Sequence, residues 1–312
     1  MQEFLTNVGL VSQNVGVLFC LVAVGFVLNK TRMLSEVGAK NLSDLALVCI
    51  TPCVIINSFI RPYEPQLMGR YLLCLGATFL LHGLFIALAH LLVFSKQRDK
   101  TAVYRFSMIF SNAGYMALPL QQALLGEQGV FFSSAYIAGF NIMLWTYGVW
   151  LMGREKAKIT WTKLVFNPGL IAVFVGLLLF VCSIPVPTLL RSAVGHMANM
   201  NTAIPMIVIG FYVAKTDLVR ILRQGGSLYT IFLRLIVLPV AGIGLLWLLG
   251  FRGVEFVCLS IAVCTPPAAA TTMFAARYES DVELSAQLVS VGTLLSILTM
   301  PALIAFCMFI AG

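Results

Sequence analysis

Charged residues are scarce in this sequence. Of its 312 residues, 10% are Asp, Glu, Lys or Arg, whereas 60% are hydrophobic and the mean hydropathy is +0.96. Soluble globular domains carry charge on about a quarter of their residues. A chain with so little charge cannot cover a water-exposed surface, which excludes a large soluble domain. The composition predicts an all-α polytopic membrane protein whose main partner is the lipid bilayer.

The groups that metal and nucleotide chemistry require are also few. The sequence has three His, no HExxH pattern, no CxxC pair and no Walker-type phosphate loop. Its twelve acidic residues fall mostly at the ends of apolar segments or between them. These absences argue against a membrane-embedded enzyme, a metal site, a bound cofactor and direct use of ATP. We therefore expect a protein that is not an enzyme.

Apolar segments fill most of the chain, and one helical crossing of a bilayer needs about 20 apolar residues. We predict ten transmembrane helices, at roughly 8–29, 42–60, 68–94, 102–125, 129–152, 168–185, 189–214, 228–249, 254–276 and 284–310. Several of these spans are short or contain Pro or Gly. Such breaks are tolerated in lipid only where the freed backbone groups find partners or line a cavity.

Positive charge is distributed unevenly between the two sides of this predicted bundle. Counted with the adjoining span ends, 15 Lys and Arg residues follow odd-numbered spans, 4 follow even-numbered spans, and Arg234 lies inside span 8. Because Lys and Arg stay cytoplasmic, this pattern predicts a multi-pass protein of the plasma (inner) membrane with both termini extracytoplasmic. It also explains the net charge of +8 without a nucleic-acid partner.

Prolines recur at a nearly constant spacing along the chain. Pro52 and Pro205 are 153 residues apart, and Pro119 and Pro266 are 147 residues apart. This spacing favours two repeats of five helices. The predicted repeats are residues 1–155 and 156–312. Because five is an odd number, the second repeat enters the membrane from the opposite side, which predicts a 5+5 inverted repeat.

The stretch SNAGYMALPL, residues 111–120, places Asn112, Gly114 and Pro119 inside predicted span 4. One proline is consistent with a kinked but continuous helix, and Asn112 is also suited to a structural hydrogen bond between helices. Span 9, however, contains CTPPAAATT, residues 264–272, at the matching position of the second half. Two such interruptions favour broken helices with a binding site near the midplane. Free backbone N–H groups and the Asn112 amide there suit an anion.

Five ordered motifs resemble the auxin efflux carrier family of the bile acid/auxin/arsenite transporter superfamily. They are SNAGYMALPL (111–120), NPGLIAVFVGLLLF (167–180), AIPMIVIGFYVAK (203–215), CTPPAAATTMFAARYESD (264–281) and SVGTLLSILTMPALI (290–304). The similarity extends over nearly the whole chain. The long central loop of the plant PIN carriers is replaced by the short segment 153–166, which is typical of a prokaryotic member.

The resemblance implies that the broken helices of spans 4 and 9 cross each other. It also implies a scaffold of helices 1, 2, 6 and 7 and an elevator-like transport unit of helices 3–5 and 8–10. It implies a secondary active transporter of a small organic anion that works by alternating access. The expected substrate is a carboxylate or dicarboxylate such as malate or malonate, or an auxin-like molecule. A homodimer through the scaffold is also implied. An anion channel or a sensor with the same fold is the alternative.

The resemblance also bears on individual residues. In the plant carriers, an asparagine of span 4 and a polar residue early in span 5 contact the substrate carboxylate. Asn112 matches the first position, and Asn141 stands at the second, where those carriers have Gln. Trp145 is retained, whereas Thr146 stands where those carriers have Tyr. The predicted substrate-binding residues are Asn112, Gly114, Pro119, Asn141, Thr146, Thr265, Pro266 and Pro267.

A few ionisable residues fall within the predicted spans or at their ends. His82, His90 and Asp44 are candidates for proton or sodium coupling, although packing and interfacial roles also suit them. Arg234 is costly in lipid and is therefore expected to have a partner, which the sequence does not identify.

Overall fold

The computed structural model describes residues 2–94, 97–153, 166–215 and 224–311, and the elements in these ranges are helices. In chain order they are α1 (Gln2–Lys30), α2 (Glu36–Leu45), α3 (Thr51–Phe59), α4 (Pro65–Leu92), α5 (Arg98–Ile109), α6 (Leu118–Met143), α7 (Val149–Gly153), α8 (Pro168–Val181), α9 (Thr188–Asn199), α10 (Ala203–Val213), α11 (Gly225–Phe232), α12 (Leu238–Leu248), α13 (Gly253–Cys264), α14 (Ala270–Arg277) and α15 (Val282–Ala311). Within the same ranges, four π-helical segments adjoin them, at Ala46–Ile50, Ala113–Ala117, Leu144–Gly148 and Leu233–Val237.

Some of the Lys and Arg residues from which the orientation was predicted lie outside the described residues. This applies to seven of the basic residues, namely Lys96, Arg154, Lys156, Lys158, Lys163, Arg220 and Arg223. The predicted boundary between the two repeats, at residue 155, lies outside them as well.

Six helices in the described part of the chain are long and apolar enough to cross a membrane. They are Thr6–Lys30, Glu36–Phe59, Pro65–Leu92, Ala113–Gly153, Gly225–Leu248 and Val282–Ala311. The apolar helices α8 and α13 are shorter. Predicted spans 7 and 9 are absent from the six because each is divided into two helices, α9 with α10 and α13 with α14. The protein is thus an all-helical, multi-pass membrane protein, and the count of ten spans stays a prediction.

The faces of the long helices that point away from the bundle are apolar. On α4, Leu72, Leu73 and Leu80 are exposed, whereas Tyr71 and Leu81 on the other face are buried in the core. Contiguous apolar surface of this extent is unusual on a protein surrounded by water. Hydrocarbon solvates it without cost, and this accounts for a helix that is hydrophobic on every side.

Three of the π-helical segments end two residues before a proline, namely Pro52, Pro119 and Pro239. A proline in a regular α-helix lacks an N–H and clashes with the carbonyl four residues earlier. A π turn relieves this crowding, because the Leu118 N–H donates to the carbonyl of Ala113, five residues back. Pro119 therefore lies in the first turn of α6, inside a continuous helical stretch. The prediction that Pro119 marks the interruption of span 4 is wrong.

Span 4 is interrupted before that proline. Helix α5 ends at Ile109, residues 110–112 are not helical, and the helical course resumes at Ala113. In span 9, α13 ends at Cys264 and residues 265–269 separate it from α14. We call 110–112 and 265–269 the unwound segments.

A glycine separates predicted spans 4 and 5. Gly126 lies within α6 but has φ 62° and ψ −152°, so the chain changes direction there. This backbone conformation is essentially restricted to glycine. It explains why one long helix contains the end of one predicted span and the start of the next.

Replacement of Gly126 by alanine is expected to destabilise the protein by about 1–3 kcal/mol through backbone strain alone. Apart from the adjoining backbone, no atom of the described residues lies within 4 Å of the position that a Cβ would take at Gly126, so steric contact adds nothing. Thermal unfolding in detergent measures the effect. Gly244→Ala in α12, where the space is also open and φ is not positive, is the control. Equal stability of the two variants would contradict the strain argument.

Helix packing forms two sets of neighbours. In one set, α1 packs along α10, and α3 packs against α8 and α9; in the other, α6 packs against α4 and α13, and α13 against α15. The two sets contact each other, chiefly where α1 packs along α15. The backbones of α1 and α10 are in contact, because a Cβ at Gly210 would collide with the carbonyl of Val22 and a Cβ at Gly25 with that of Ile207. Small residues at such crossings let helices in membranes approach closely.

Candidate functional site

The two unwound segments are hydrogen-bonded to each other. The Asn112 N–H donates to the carbonyl of Pro266 at 2.9 Å, and the Ala268 N–H donates to the carbonyl of Phe110 at 2.9 Å. Ser111 and Pro267 thereby face each other as in a short antiparallel pair. The pairing satisfies backbone groups that helix interruption leaves free, and those groups would otherwise be costly inside a membrane.

Arg234 donates hydrogen bonds to carbonyls at the C-terminal ends of α5 and α13, the two helices that precede the unwound segments. Its side chain is completely buried and donates to the carbonyl of Met108 at 3.1 Å, near the end of α5. It also donates to the carbonyls of Val263, at 3.0 Å, and Thr265, at 2.6 and 3.1 Å, at the end of α13. The expected partner of Arg234 is therefore a set of backbone carbonyls.

A cavity of about 330 Å³ lies beside the paired segments. Its walls come from the end of α2 with the π turn that follows, residues 111–115, the last turns of α6, the start of α8 and residues 268–270. Most of these groups are apolar. Among the described residues, none of those lining the cavity is Asp, Glu, Lys or Arg.

Three hydrogen-bond donors in this cavity wall have no partner among the described residues. They are the amide Nδ2 of Asn112, the hydroxyl of Thr51 and the indole Nε1 of Trp145, all buried atoms. An unpaired buried polar atom costs about 1–3 kcal/mol. The three come from separate segments, namely α3, the unwound segment 110–112 and the π turn Leu144–Gly148. Because they line one cavity, a single ligand with acceptor atoms can satisfy them together. We call Asn112, Thr51 and Trp145 the donor set.

The other polar groups of the cavity wall are paired. Asn167 caps the start of α8, with its Oδ1 accepting the N–H of Gly169 at 2.9 Å, while its Nδ2 donates to Asn141 Oδ1 at 3.2 Å. The Ser43 hydroxyl lies 3.1 Å from that of Tyr115. These contacts fix the orientation of Asn141, which the sequence predicted as a binding residue, and place its amide in the wall beside Asn167.

The predicted binding residues thus separate into two groups. Asn112, Gly114 and Asn141 line the cavity. The others do not: Pro119, Thr146, Thr265, Pro266 and Pro267. The Thr146 hydroxyl donates to the carbonyl of Ile142, and that of Thr265 donates to the carbonyl of Ala262. The two prolines of span 9 shape the unwound segment behind the cavity.

The candidate coupling residues also lie away from the cavity wall. His82 is completely buried, with Nδ1 2.8 Å from the carbonyl of Thr78, and within the described ranges Nε2 has no partner. Its ring packs among aromatic rings, among them that of Tyr136, whose centroid is 5.7 Å away. His90 Nδ1 lies 3.4 Å from the hydroxyl of Tyr147, and Asp44 is exposed. No cluster of three or more metal-ligating side chains occurs among the residues that the structure describes.

The sequence profile of a family described as membrane transport protein matches residues 10–160 and 152–304. The chain belongs to this family. The resemblance to the auxin efflux carriers is thereby confirmed, and so are the transport and transmembrane assignments. The protein is a multi-pass member of a family of membrane transporters.

Two archaeal relatives agree with this membership. An uncharacterized transporter of Methanothermobacter thermautotrophicus is 25% identical over 290 residues, which cover 90% of this chain and 93% of the relative. An uncharacterized transporter of Methanocaldococcus jannaschii is 22% identical over 295 residues, covering 90% and 94% of the two chains. Each relative matches the transporter along almost its entire length.

Proposed function

We propose that this transporter moves a small organic anion by secondary active transport, with the substrate bound in the cavity beside the unwound segments. The donor set carries the proposal. It offers three N–H or O–H groups and no acidic side chain, an arrangement that suits the oxygens of a carboxylate. The apolar remainder of the wall suits the carbon skeleton of the same molecule.

The cavity volume limits the substrate. At about 330 Å³ the cavity is at the lower end of the range for small-molecule sites. It therefore suits a compact carboxylate or dicarboxylate such as malate or malonate. An auxin-like molecule is the second candidate, because its aromatic ring would pack against apolar wall residues such as Met273.

We further propose ten spans in two inverted repeats, 1–155 and 156–312, with crossed broken helices in spans 4 and 9. The antiparallel pairing of residues 110–112 with 265–269 supports this arrangement. The packing sets also agree with a scaffold of spans 1, 2, 6 and 7 and a moving unit of spans 3–5 and 8–10. The cavity lies between the two sets, because both contribute to its wall, as alternating access requires.

The proposed orientation places both termini outside the cytoplasm in the inner membrane, and the proposed assembly is a homodimer through the scaffold. Coupling to protons would involve His82 or His90, and coupling to sodium would involve Asp44 as one candidate ligand. Labelling of single cysteines introduced at the two ends of α4 would test the orientation, since each should react from one side only.

Reconstitution into liposomes tests the transport function directly. We expect labelled malonate or malate to accumulate with saturable kinetics, and a thermal-shift screen of mono- and dicarboxylates to raise the unfolding temperature by mass action. Flux that does not saturate would favour an anion channel. Binding without flux would favour a sensor, and no stabilisation by any carboxylate would contradict the anion site.

Replacing Trp145 by phenylalanine is expected to weaken carboxylate binding about 10- to 100-fold, because a hydrogen bond to a charged group contributes about 1.5–3 kcal/mol. Phenylalanine removes the indole N–H and preserves an aromatic ring against Phe274, whose centroid lies 5.3 Å from that of Trp145. Isothermal titration in detergent measures the affinity. Trp150→Phe is the matched control, since Trp150 is exposed and lies outside the cavity. Equal affinities of the two variants would remove Trp145 from the site.

A further inference from the structure

Arg234 has an unusual environment for a cation buried in a membrane protein. The ion pairs in the described part of the chain are Arg61 with Glu127, Arg70 with Glu255 and Lys215 with Glu36, so Arg234 is not among them. Its guanidinium instead makes four hydrogen bonds to three backbone carbonyls. Its charge is therefore balanced by peptide dipoles and not by a carboxylate.

The three carbonyls share one structural origin. Met108 is next to the last residue of α5, while Val263 and Thr265 lie on either side of the last residue of α13. Carbonyls at the C-terminal end of a helix carry partial negative charge and lack a partner in their own helix. Arg234 thus joins the negative ends of two helices that end inside the membrane, one in each predicted repeat.

Such carbonyls are ligands for cations. In secondary transporters with broken helices, unwound backbone carbonyls and the C-terminal ends of half-helices coordinate the sodium ion or proton that drives transport. In this protein the carbonyls already accept hydrogen bonds from a guanidinium. The carbonyl of Thr265 accepts two of them, from Nε and from Nη2. A free cation at this position would find the lone pairs of the Thr265 carbonyl already occupied, and the positive charge of Arg234 would repel it.

The guanidinium also lies close to the candidate anion site through the backbone. Thr265, whose carbonyl binds Arg234, precedes Pro266, whose carbonyl accepts the Asn112 N–H. The amide of Asn112 belongs to the donor set. The carbonyl that binds the cation and the carbonyl that positions an anion-binding side chain thus belong to consecutive residues.

We propose that Arg234 is a tethered cation that permanently occupies the coupling-ion position between the two unwound segments. The protein then holds the segments in register without sodium, and its anion binds equally well in sodium and in choline. The positive charge that a coupling ion would supply beside the anion comes from the chain itself. The statements about anion binding rest on the proposed function. The statement that Arg234 takes the place of a coupling ion does not.

The cation arm of the test requires no substrate. Thermal unfolding of Arg234→Ala in detergent is measured in choline, sodium and guanidinium chloride, the last at a low millimolar, non-denaturing concentration. We expect a lower unfolding temperature than that of the wild type, with partial recovery in guanidinium or sodium because a free cation refills the vacated carbonyls. Arg191→Ala, which removes an exposed arginine from α9, should respond to none of the salts. A stabilising effect of sodium on the wild type, or no recovery of Arg234→Ala, would overturn the proposal.

Two further variants keep the test decisive if Arg234→Ala fails to fold. Arg234→Lys retains a positive charge and three donors, whereas Arg234→Gln retains polarity without charge. We expect the lysine variant to unfold at the higher temperature of the two. Equal destabilisation of both variants would show that charge at this position is not what holds the segments.

Malonate affinity separates this inference from the proposed function. We expect the wild type to bind malonate with the same affinity in sodium and choline, and Arg234→Gln to bind it at least about tenfold more weakly. Sodium-dependent binding by the wild type would overturn the tethered cation and leave anion transport standing. If sodium or guanidinium restores the stability of Arg234→Ala but the wild type binds no carboxylate, the tethered cation stands and the anion site does not.

Discussion

Replacing Asn112 by aspartate is expected to abolish carboxylate binding, with a loss of about 100-fold or more in affinity. The substitution preserves side-chain shape but removes the Nδ2 donor, which is buried and unpartnered in the cavity. It also introduces a negative charge where the proposed substrate carries one, and like charges placed together cost several kcal/mol. Every 1.4 kcal/mol corresponds to a factor of ten. Titration of malonate by calorimetry in detergent measures the change.

Asn112→Ala and Asn199→Asp are the control variants for this experiment. The alanine variant loses the donor without gaining a charge and is expected to fall between the wild type and the aspartate variant. Asn199→Asp places the same charge on an exposed position at the end of α9, away from the cavity, and should leave affinity unchanged. A donor-only role predicts equal losses for the aspartate and alanine variants, so a larger loss for aspartate identifies the bound group as an anion. Wild-type affinity in the aspartate variant would remove the site altogether.

Gly210→Ala is expected to cost about 3 kcal/mol or more in stability, the largest structural effect among these substitutions. A Cβ at residue 210 would overlap the carbonyl of Val22, which is backbone and cannot move without displacing α1. The helices would have to separate along their whole contact. Thermal unfolding in detergent and the yield of monodisperse protein report the loss.

Gly16→Ala on α1 is the matched control, because no described atom other than the adjoining backbone of α1 lies within 4 Å of a Cβ there. Alanine in a helix with open surroundings is favoured over glycine by about 0.5–1 kcal/mol. The control should therefore be neutral or slightly more stable. Similar behaviour of Gly210→Ala and Gly16→Ala would mean that the α1–α10 crossing is looser than the structure indicates.

Much of the architecture follows from the sequence because its physical causes are local. Low charge and long apolar segments dictate a helical membrane protein, and the Asn112–Gly114 region is an obvious weak point in a helix. The location of the break in span 4 is not local. Pro119 is accommodated by a π turn, whereas the chain unwinds at 110–112, where a partner segment distant in sequence supplies hydrogen bonds.

Only part of the candidate site could be predicted, because some of its residues carry a local signal in the sequence and others do not. Asn112 and Asn141 are polar residues in apolar surroundings and stand out in the sequence. Thr51 and Trp145 have no such signal, because a threonine or a tryptophan in a membrane helix usually serves packing or an interface. Thr51 does adjoin Pro52, one of the recurring prolines, and that neighbour is the clue that could have found it. The partners of Arg234 are backbone atoms, which carry no mark in a sequence.

The link between the two unwound segments has a consequence for substitution. It is made by peptide groups, so a substitution other than proline at Asn112 or Ala268 leaves its donors in place. The link between the unwound segments therefore depends on the backbone and not on the identity of the side chains at these two positions. Residues of the donor set can be exchanged while this backbone link stays the same, so the link sets no limit on which substrate the cavity accepts.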